Sequence, residues 1–318
     1  MYFGAVGEGA VERIILELLS NSVDQFLAGE ATEVRLRLDS GMIEVSDDGA
    51  GFPLEGAADG SVSGVIYLKR HHNSRTADGH APHIHLSWGG AGLAPVNAAS
   101  EWFRVRSWRS GRLWELEFRR GILVSGPHAI REGVGRGTEI ALIPDVEILG
   151  ATAARRGAVR ARMFEAVHLF PGLIARLDDE RFHAPDGLVD LAYLDAREAW
   201  NRDRSQSDFA ASVRLEDILV TVAALGRNSD GSVWRTWVNG SRTPLHGSHR
   251  LGFEDALRRV QWKPASIALH AVMYDAHYAG PTKDCLEVPH AREVISNGCF
   301  PLLEKYCREN QLGIYRPL

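Results

Sequence analysis

The chain has 318 residues, a length that accommodates two domains, and 45% of them are hydrophobic, an ordinary share for a globular protein. A net charge of −5 excludes a global electrostatic footprint for nucleic acid, so any DNA contact has to be local. No apolar run approaches the ~20 residues that span a bilayer, and the start lacks the basic-then-apolar layout of a signal peptide, so a cytoplasmic protein without a membrane partner is expected.

The first predicted element is an amphipathic helix over residues 11–30, in which Val11, Ile14, Ile15, Leu18 and Leu19 recur at helical spacing as a buried stripe. Glu17, Asn21 and Asp24 fall at i, i+4 and i+7, so they share one polar face. A hairpin comes next. Val34, Leu36 and Leu38 alternate with Arg35 and Arg37, Asp39-Ser40-Gly41 supplies the turn, and Ile43 and Val45 resume the alternation. The returning strand delivers Asp47, Asp48, Gly49, Gly51 and Pro53 at its carboxyl end. A carboxylate and an amide on a helix, facing an aspartate and glycines at a strand end, suit a nucleotide. Asn21 offers an amide oxygen to Mg²⁺, a hard cation, and Glu17 is placed to orient and deprotonate a water. The plain alternative is a surface helix followed by a glycine-rich turn.

This ExxxN followed by DDGxGFP resembles the first two motifs of the GHKL ATPases, and the wording is most similar to the gyrase B and topoisomerase IV ATPase subunits. Met1-Tyr2-Phe3-Gly4 resembles the MYIG that precedes the helix in those relatives. The resemblance implies an α+β architecture: a GHKL (Bergerat) α/β sandwich ATPase domain over residues 1–200, then a transducer domain of ribosomal-S5-like α/β fold over 201–318. It implies ATP and Mg²⁺ as cofactors. By the same resemblance Glu17 is the general base, Asn21 the Mg²⁺ ligand and Asp47 the acceptor for the adenine amino group, with Gly49, Gly51 and Pro53 beside the nucleotide.

A short helix over residues 64–70 is expected next, then a polar loop with His71, His72, His80, His83 and His85, then the glycine-rich LSWGGAG. That order suits a lid whose backbone amides close over phosphates. His83-x-His85 alone cannot complete a tetrahedral zinc site, so a solvated loop is expected there. The relatives carry GGLHGVG at this place, and the match of Pro95-Val96-Asn97-Ala98-Ala99-Ser100 to their VVNALS fixes the alignment. It puts Gly90, Ala91 and Gly92 at the phosphates, while Leu86, Ser87 and Gly89 depart from the family pattern.

WFRVRSW and RLWELEFRR read as a hairpin through Arg109-Ser110-Gly111, and GRGTEIALIP as a further strand. Trp102, Arg104, Arg106 and Trp108 share a mixed face. Gly135-Arg136-Gly137-Thr138 matches the family's TGT, which implies that the Thr138 hydroxyl fixes a bridging water beside Asp47; Arg109 and Arg136 read as exposed strand arginines. A helix over 155–170 and a strand over 172–177 finish the first domain, and a polar stretch leads to the second near residue 200. There LEDILVTVAAL reads as a strand with SVWRTWVNG as its hairpin partner, and His246-Gly247-Ser248-His249 opens a helix. ASIALHAVMY is a strand, and the last helix is interrupted at Gly298 and Pro301. Pro281-Thr282-Lys283 matches the family's QTK, so the resemblance gives Lys283 a catalytic place at the γ-phosphate. Cys285, Cys299 and Cys307 lack metal-ligand spacing and read as reduced and structural.

The expected function is a stand-alone ATP-binding and ATP-hydrolysing GHKL protein, without the Toprim domain into which the relatives continue. Two alternatives stand beside it: an ATP-dependent phosphotransferase acting on a small molecule or protein, and a non-catalytic, nucleotide-gated binding module. In the relatives a longer N-terminal arm wraps the partner subunit. The corresponding expectation here is a monomer or weak nucleotide-dependent homodimer, completed by a protein partner.

Overall fold

The computed structural model describes residues 6–55, 63–69, 84, 86, 92–195, 208–226, 231–280 and 282–315. These residues form two compact units, the second taking residues 168–171 and everything from Ala184 onward.

The first unit opens with α1 (Glu8–Leu27), β1 (Glu33–Asp39), β2 (Met42–Asp47) and α2 (Ser63–Lys69). α3 (Leu93–Ala98), β3 (Ser100–Arg109), β4 (Arg112–Arg119), β5 (Ile122–Glu132) and β6 (Thr138–Pro144) follow. α4 (Val146–Leu149), α5 (Arg156–Leu169), β7 (Ile174–Leu177) and β8 (Glu180–Phe182) complete it. The strands make one 8-stranded sheet in the order β5-β4-β3-β6-β2-β1-β7-β8. Among the described residues of this sheet, β1 and β7 pair in parallel and the other neighbours antiparallel.

The apolar stripe of α1 does what its spacing predicts: Val11, Ile14, Ile15, Leu18 and Leu19 are buried, and the helix packs on β1 and β2. Each such side chain contributes on the order of 2 kcal/mol by leaving water. The hairpin keeps its expected register, with Leu36 opposite Val45, and closes through Ser40 and Gly41, both at positive φ, the turn geometry that matches strand twist. Inward-facing Phe103, Val105, Leu116 and Phe118 extend the core across β3 and β4. The mixed face is a ladder of ion pairs, Arg104 to Glu139 at 2.9 Å and Arg106 to Glu115 at 2.7 Å, with Arg104 also lying 5.2 Å from the centre of the Trp102 ring.

One strand has no alternation to announce it. β5 is an edge strand with Ile122, Val124 and Ile130 exposed and Pro127 within it; a proline without an N–H is tolerated at an edge, where no further strand needs that donor.

The second unit contains α6 (Leu188–Asp195), β9 (Phe209–Leu215), β10 (Ile218–Leu225), β11 (Val233–Val238) and β12 (Ser241–Arg242). β13 (His246–Gly247), α7 (Ser248–Val260), β14 (Ser266–Val272), β15 (Cys285–Leu286) and α8 (Pro289–Glu309) follow. Its 5-stranded sheet runs β12-β11-β14-β10-β9. α6 packs on β10 and β14, within the second unit, which takes the chain from Ala184 onward. Phe253, Ala256, Leu257 and Val260 of α7 and Ile295, Cys299 and Leu303 of α8 form one core with Val220, Val222, Ile267 and Leu269 of the sheet.

Two expectations change here. β11 is not the hairpin partner of β10: it runs parallel to β14, which lies between them, and the partner of β10 is β9, reached through Glu216 at φ 55°. α8 is also one continuous helix of 21 residues with Pro301 inside it. Gly298 serves packing rather than a break, because a Cβ there would lie 2.3 Å from Leu215 Cδ2.

Candidate functional site

α1 and the carboxyl end of β2 meet in the first unit, where the Ser22 hydroxyl reaches Asp47. Glu17 is buried, and its Oε2 accepts the Gly92 amide at 3.1 Å, at the start of α3. Asn21 donates its side-chain NH₂ to the Glu17 carbonyl at 2.9 Å, which leaves its amide oxygen as the atom able to ligate a hard cation. Among the described residues no group of three or more His, Cys, Asp and Glu side chains could hold a metal by itself. A single protein oxygen beside a buried carboxylate fits Mg²⁺ that takes its other ligands from phosphates and water.

The same helix holds Ile84 and Leu86. Asp24 accepts the Ile84 amide at 3.0 Å, and Ser20 Oγ accepts the Leu86 amide at 3.0 Å while donating to the Leu16 carbonyl. Arg162 of α5 donates to the Leu86 carbonyl from Nε at 3.1 Å and Nη2 at 2.7 Å, and is itself paired with buried Glu165. Ile84 and Leu86 are buried, and the amide of each is held by a side chain of α1.

The two adjacent aspartates are put to different uses. Asp47 Oδ1 accepts the amides of Gly49 at 3.0 Å and Thr138 at 3.4 Å, while Oδ2 accepts the Ser22 hydroxyl at 2.9 Å. Burial pushes the Asp47 carboxyl above its ordinary range, outweighing those hydrogen bonds, and neighbouring Asp48 adds to the rise. Asp48 points away. Burial would raise it too, but the amides of Glu33 and Thr32 and the Thr32 hydroxyl donate to it and hold it below its usual range. Asp48 thereby ties the end of β2 to the start of β1.

Glycines make the strand ends fit. Gly51 has φ 86°, and a Cβ on it would lie 2.2 Å from the Trp108 carbonyl oxygen. Gly137 has φ 97°, and a Cβ would lie 1.8 Å from the Asp47 carbonyl oxygen. Thr138 sits beside Asp47, directly opposite it in the β2–β6 ladder, and its backbone amide donates to Asp47 Oδ1. Pro53 accepts the Gly64 amide at 2.8 Å at the start of α2. Arg109 binds the Gly51 carbonyl at 3.1 Å and Glu55 at 3.3 Å, and Arg136 pairs with Glu30 at 3.1 Å; both stabilise loops. Gly90, Ala91 and the loop histidines His71, His72, His80, His83 and His85 lie outside the described residues, as does Pro281.

Ser22 carries no motif of its own. Its signal in the sequence is its place directly after Asn21, on the helix that faces β2.

Lys283 belongs to the second unit. Its backbone has φ 58°, its amide donates to the Gly280 carbonyl at 3.2 Å, and its Nζ lies 5.8 Å from the Tyr278 ring centre. The residues after it are held firmly: Cys285 and Leu286 pair in β15 with His246 and Gly247 of β13, the turn that opens α7.

No family model matches the chain. The DNA gyrase B protein of Rickettsia typhi is 31% identical over 346 residues, covering 98% of this chain and 43% of the relative. The DNA topoisomerase 4 B protein of Borreliella burgdorferi is 28% identical over 271 residues, covering 82% of this chain and 42% of the relative. The chain thus spans less than half the length of these curated relatives. Among solved structures, the 43K ATPase domain of Thermus thermophilus gyrase B, in complex with an aminocoumarin, superposes with a TM-score of 0.82 at 23% identity, covering 98% of this chain and 88% of that one. The topoisomerase IV ATP-binding domain of Francisella tularensis gives 0.78 at 19% identity, covering 98% and 90%. The site motifs, the two-unit fold and these relatives together place the chain in the GHKL family, with the architecture of the amino-terminal ATPase and transducer region of the gyrase B and topoisomerase IV ATPase subunits.

Proposed function

We propose that the chain binds ATP with Mg²⁺ and hydrolyses it. The observation that supports this reading is that α1, which carries Glu17 and Asn21, is tied to the end of β2 by the Ser22 hydroxyl on Asp47, beside Gly49 and Thr138. Each has a part that follows from its chemistry. The remaining acceptor capacity of Asp47 suits the amino group of adenine, and Gly49 and Gly51 allow the backbone to approach the base. Asn21 would hold Mg²⁺, which when bound neutralises phosphate charge. The amide of Gly92, with those of Gly90 and Ala91, would donate to the phosphates.

Glu17 would take a proton from the attacking water. Its burial and its contact with Gly92 would hold the carboxylate beside the backbone proposed to receive the phosphates. Lys283 would act on the γ-phosphate, where a positive charge stabilises the charge that develops as the bond breaks. A calorimetric titration with ATP and Mg²⁺ tests the reading: saturable heat at one site per chain is expected, and its absence with every nucleoside triphosphate would end it.

A further inference from the structure

We propose that Ser22 is a positioning residue for base recognition: its hydroxyl, donating to Asp47 Oδ2, keeps that carboxylate oriented and acting purely as an acceptor. This rests on the reading of Asp47 as the acceptor for the nucleobase amino group. The geometry leaves little choice of atom. Oδ1 already receives the amides of Gly49 at 3.0 Å and Thr138 at 3.4 Å, so Oδ2 is the oxygen with room for a ligand donor, and Ser22 is the side chain bonded to it, at 2.9 Å. Ser22 is buried, so its hydroxyl does not trade this bond freely for water.

The charge balance explains why such a donor matters. The groups acting on Asp47 are Ser22 from α1, Thr138 from β6, and Gly49 and Asp48 beside it. Burial and Asp48 favour the protonated acid, and the three hydrogen bonds favour the anion. A protonated Asp47 would carry an O–H that meets the N–H of an adenine amino group donor to donor. Ser22 is the one side-chain contribution on the anion's side, since the other two donors are backbone amides.

The test combines a ¹³C NMR titration of the Asp47 carboxyl with calorimetric ATP affinities across pH, for the parent, Ser22→Ala and Ser22→Thr. In Ser22→Ala the carboxyl is expected to titrate at higher pH than in the parent. ATP affinity should be on the order of tenfold weaker in Ser22→Ala, the scale of one hydrogen bond to a charged group, and the loss should grow as pH falls, because the variant's carboxyl takes up its proton more readily. Ser22→Thr should restore both. Ser22→Cys, a weak donor of similar volume, carries the same expectation as alanine should the alanine variant not fold. An unchanged carboxyl titration, or an ATP affinity equal to the parent's at every pH, overturns the proposal. If no variant and no parent binds nucleotide, the reading of the site fails, while the carboxyl titration still decides the role of Ser22.

Discussion

Replacing Asp47 by Asn separates recognition of the nucleotide from stability of the fold. The amide oxygen can keep the Gly49 and Thr138 amides, but an NH₂ replaces the acceptor at Oδ2, where a nucleobase amino group has to be received. The fold itself should not suffer. Because burial raises the Asp47 carboxyl above its unfolded value, ionisation works against the native state as pH rises through that range, and a neutral amide removes the penalty. A ligand present at a hundredfold excess over its Kd stabilises the parent by about 2.7 kcal/mol. For a unit of this size that is an upward shift of roughly 5–10 °C in melting temperature. Differential scanning fluorimetry with ATP and Mg²⁺ should show this shift in the parent and none in Asp47→Asn, whose nucleotide-free melting temperature stays level or rises. An equal nucleotide shift in the variant would refute the role given to Asp47.

Gly137→Ala should lower the denaturant midpoint and abolish the nucleotide shift: it adds left-handed backbone strain of about 1–2 kcal/mol and drives a methyl group onto the Asp47 carbonyl. Full nucleotide response in that variant would mean that β2 can move without harm. Lys283→Ala should leave ADP affinity intact and slow ATP hydrolysis on the order of a hundredfold, measured by phosphate release, if its charge acts at the γ-phosphate. The second unit should lose stability in acid. Burial holds His249 at about 3 and His270 at about 4, below the ordinary histidine value, so protons bind the unfolded chain first as pH falls below about 6.5. Between about pH 8 and pH 5 the loss is roughly 2 kcal/mol for each histidine. Urea midpoints across that range check it, and a His270→Gln variant should lose less.

Much of the site was legible because it rests on short-range periodicity. Glu17 and Asn21 are one helical turn apart, and the alternation from Val34 to Val45 fixes where Asp47 emerges, so helix face and strand end follow from spacing alone. What escaped depends on long-range pairing. β11 and β10 are neighbours in sequence with the period of a hairpin, but β14 pairs with both, and no local signal in Val233–Val238 says that its partner lies in parallel. β5 escaped for the opposite reason: its apolar residues are exposed and carry no face to read. Gly298 and Pro301 read as breakers by propensity, yet the packing of α8 on α7 and the close approach of Leu215 override it. The Thr138 amide and the Ser22 hydroxyl on Asp47 had no local signal, because both contacts join residues far apart in sequence.

The most direct test of the hydrolytic reading is release of ADP and phosphate from ATP with Mg²⁺, with and without DNA, in the parent and in Glu17→Ala. The variant should keep the nucleotide-dependent rise in melting temperature while hydrolysis slows about a hundredfold to ten-thousandfold, the contribution of a general base. Hydrolysis by Glu17→Ala at the parent rate, or phosphate recovered on another molecule rather than in solution, would contradict it.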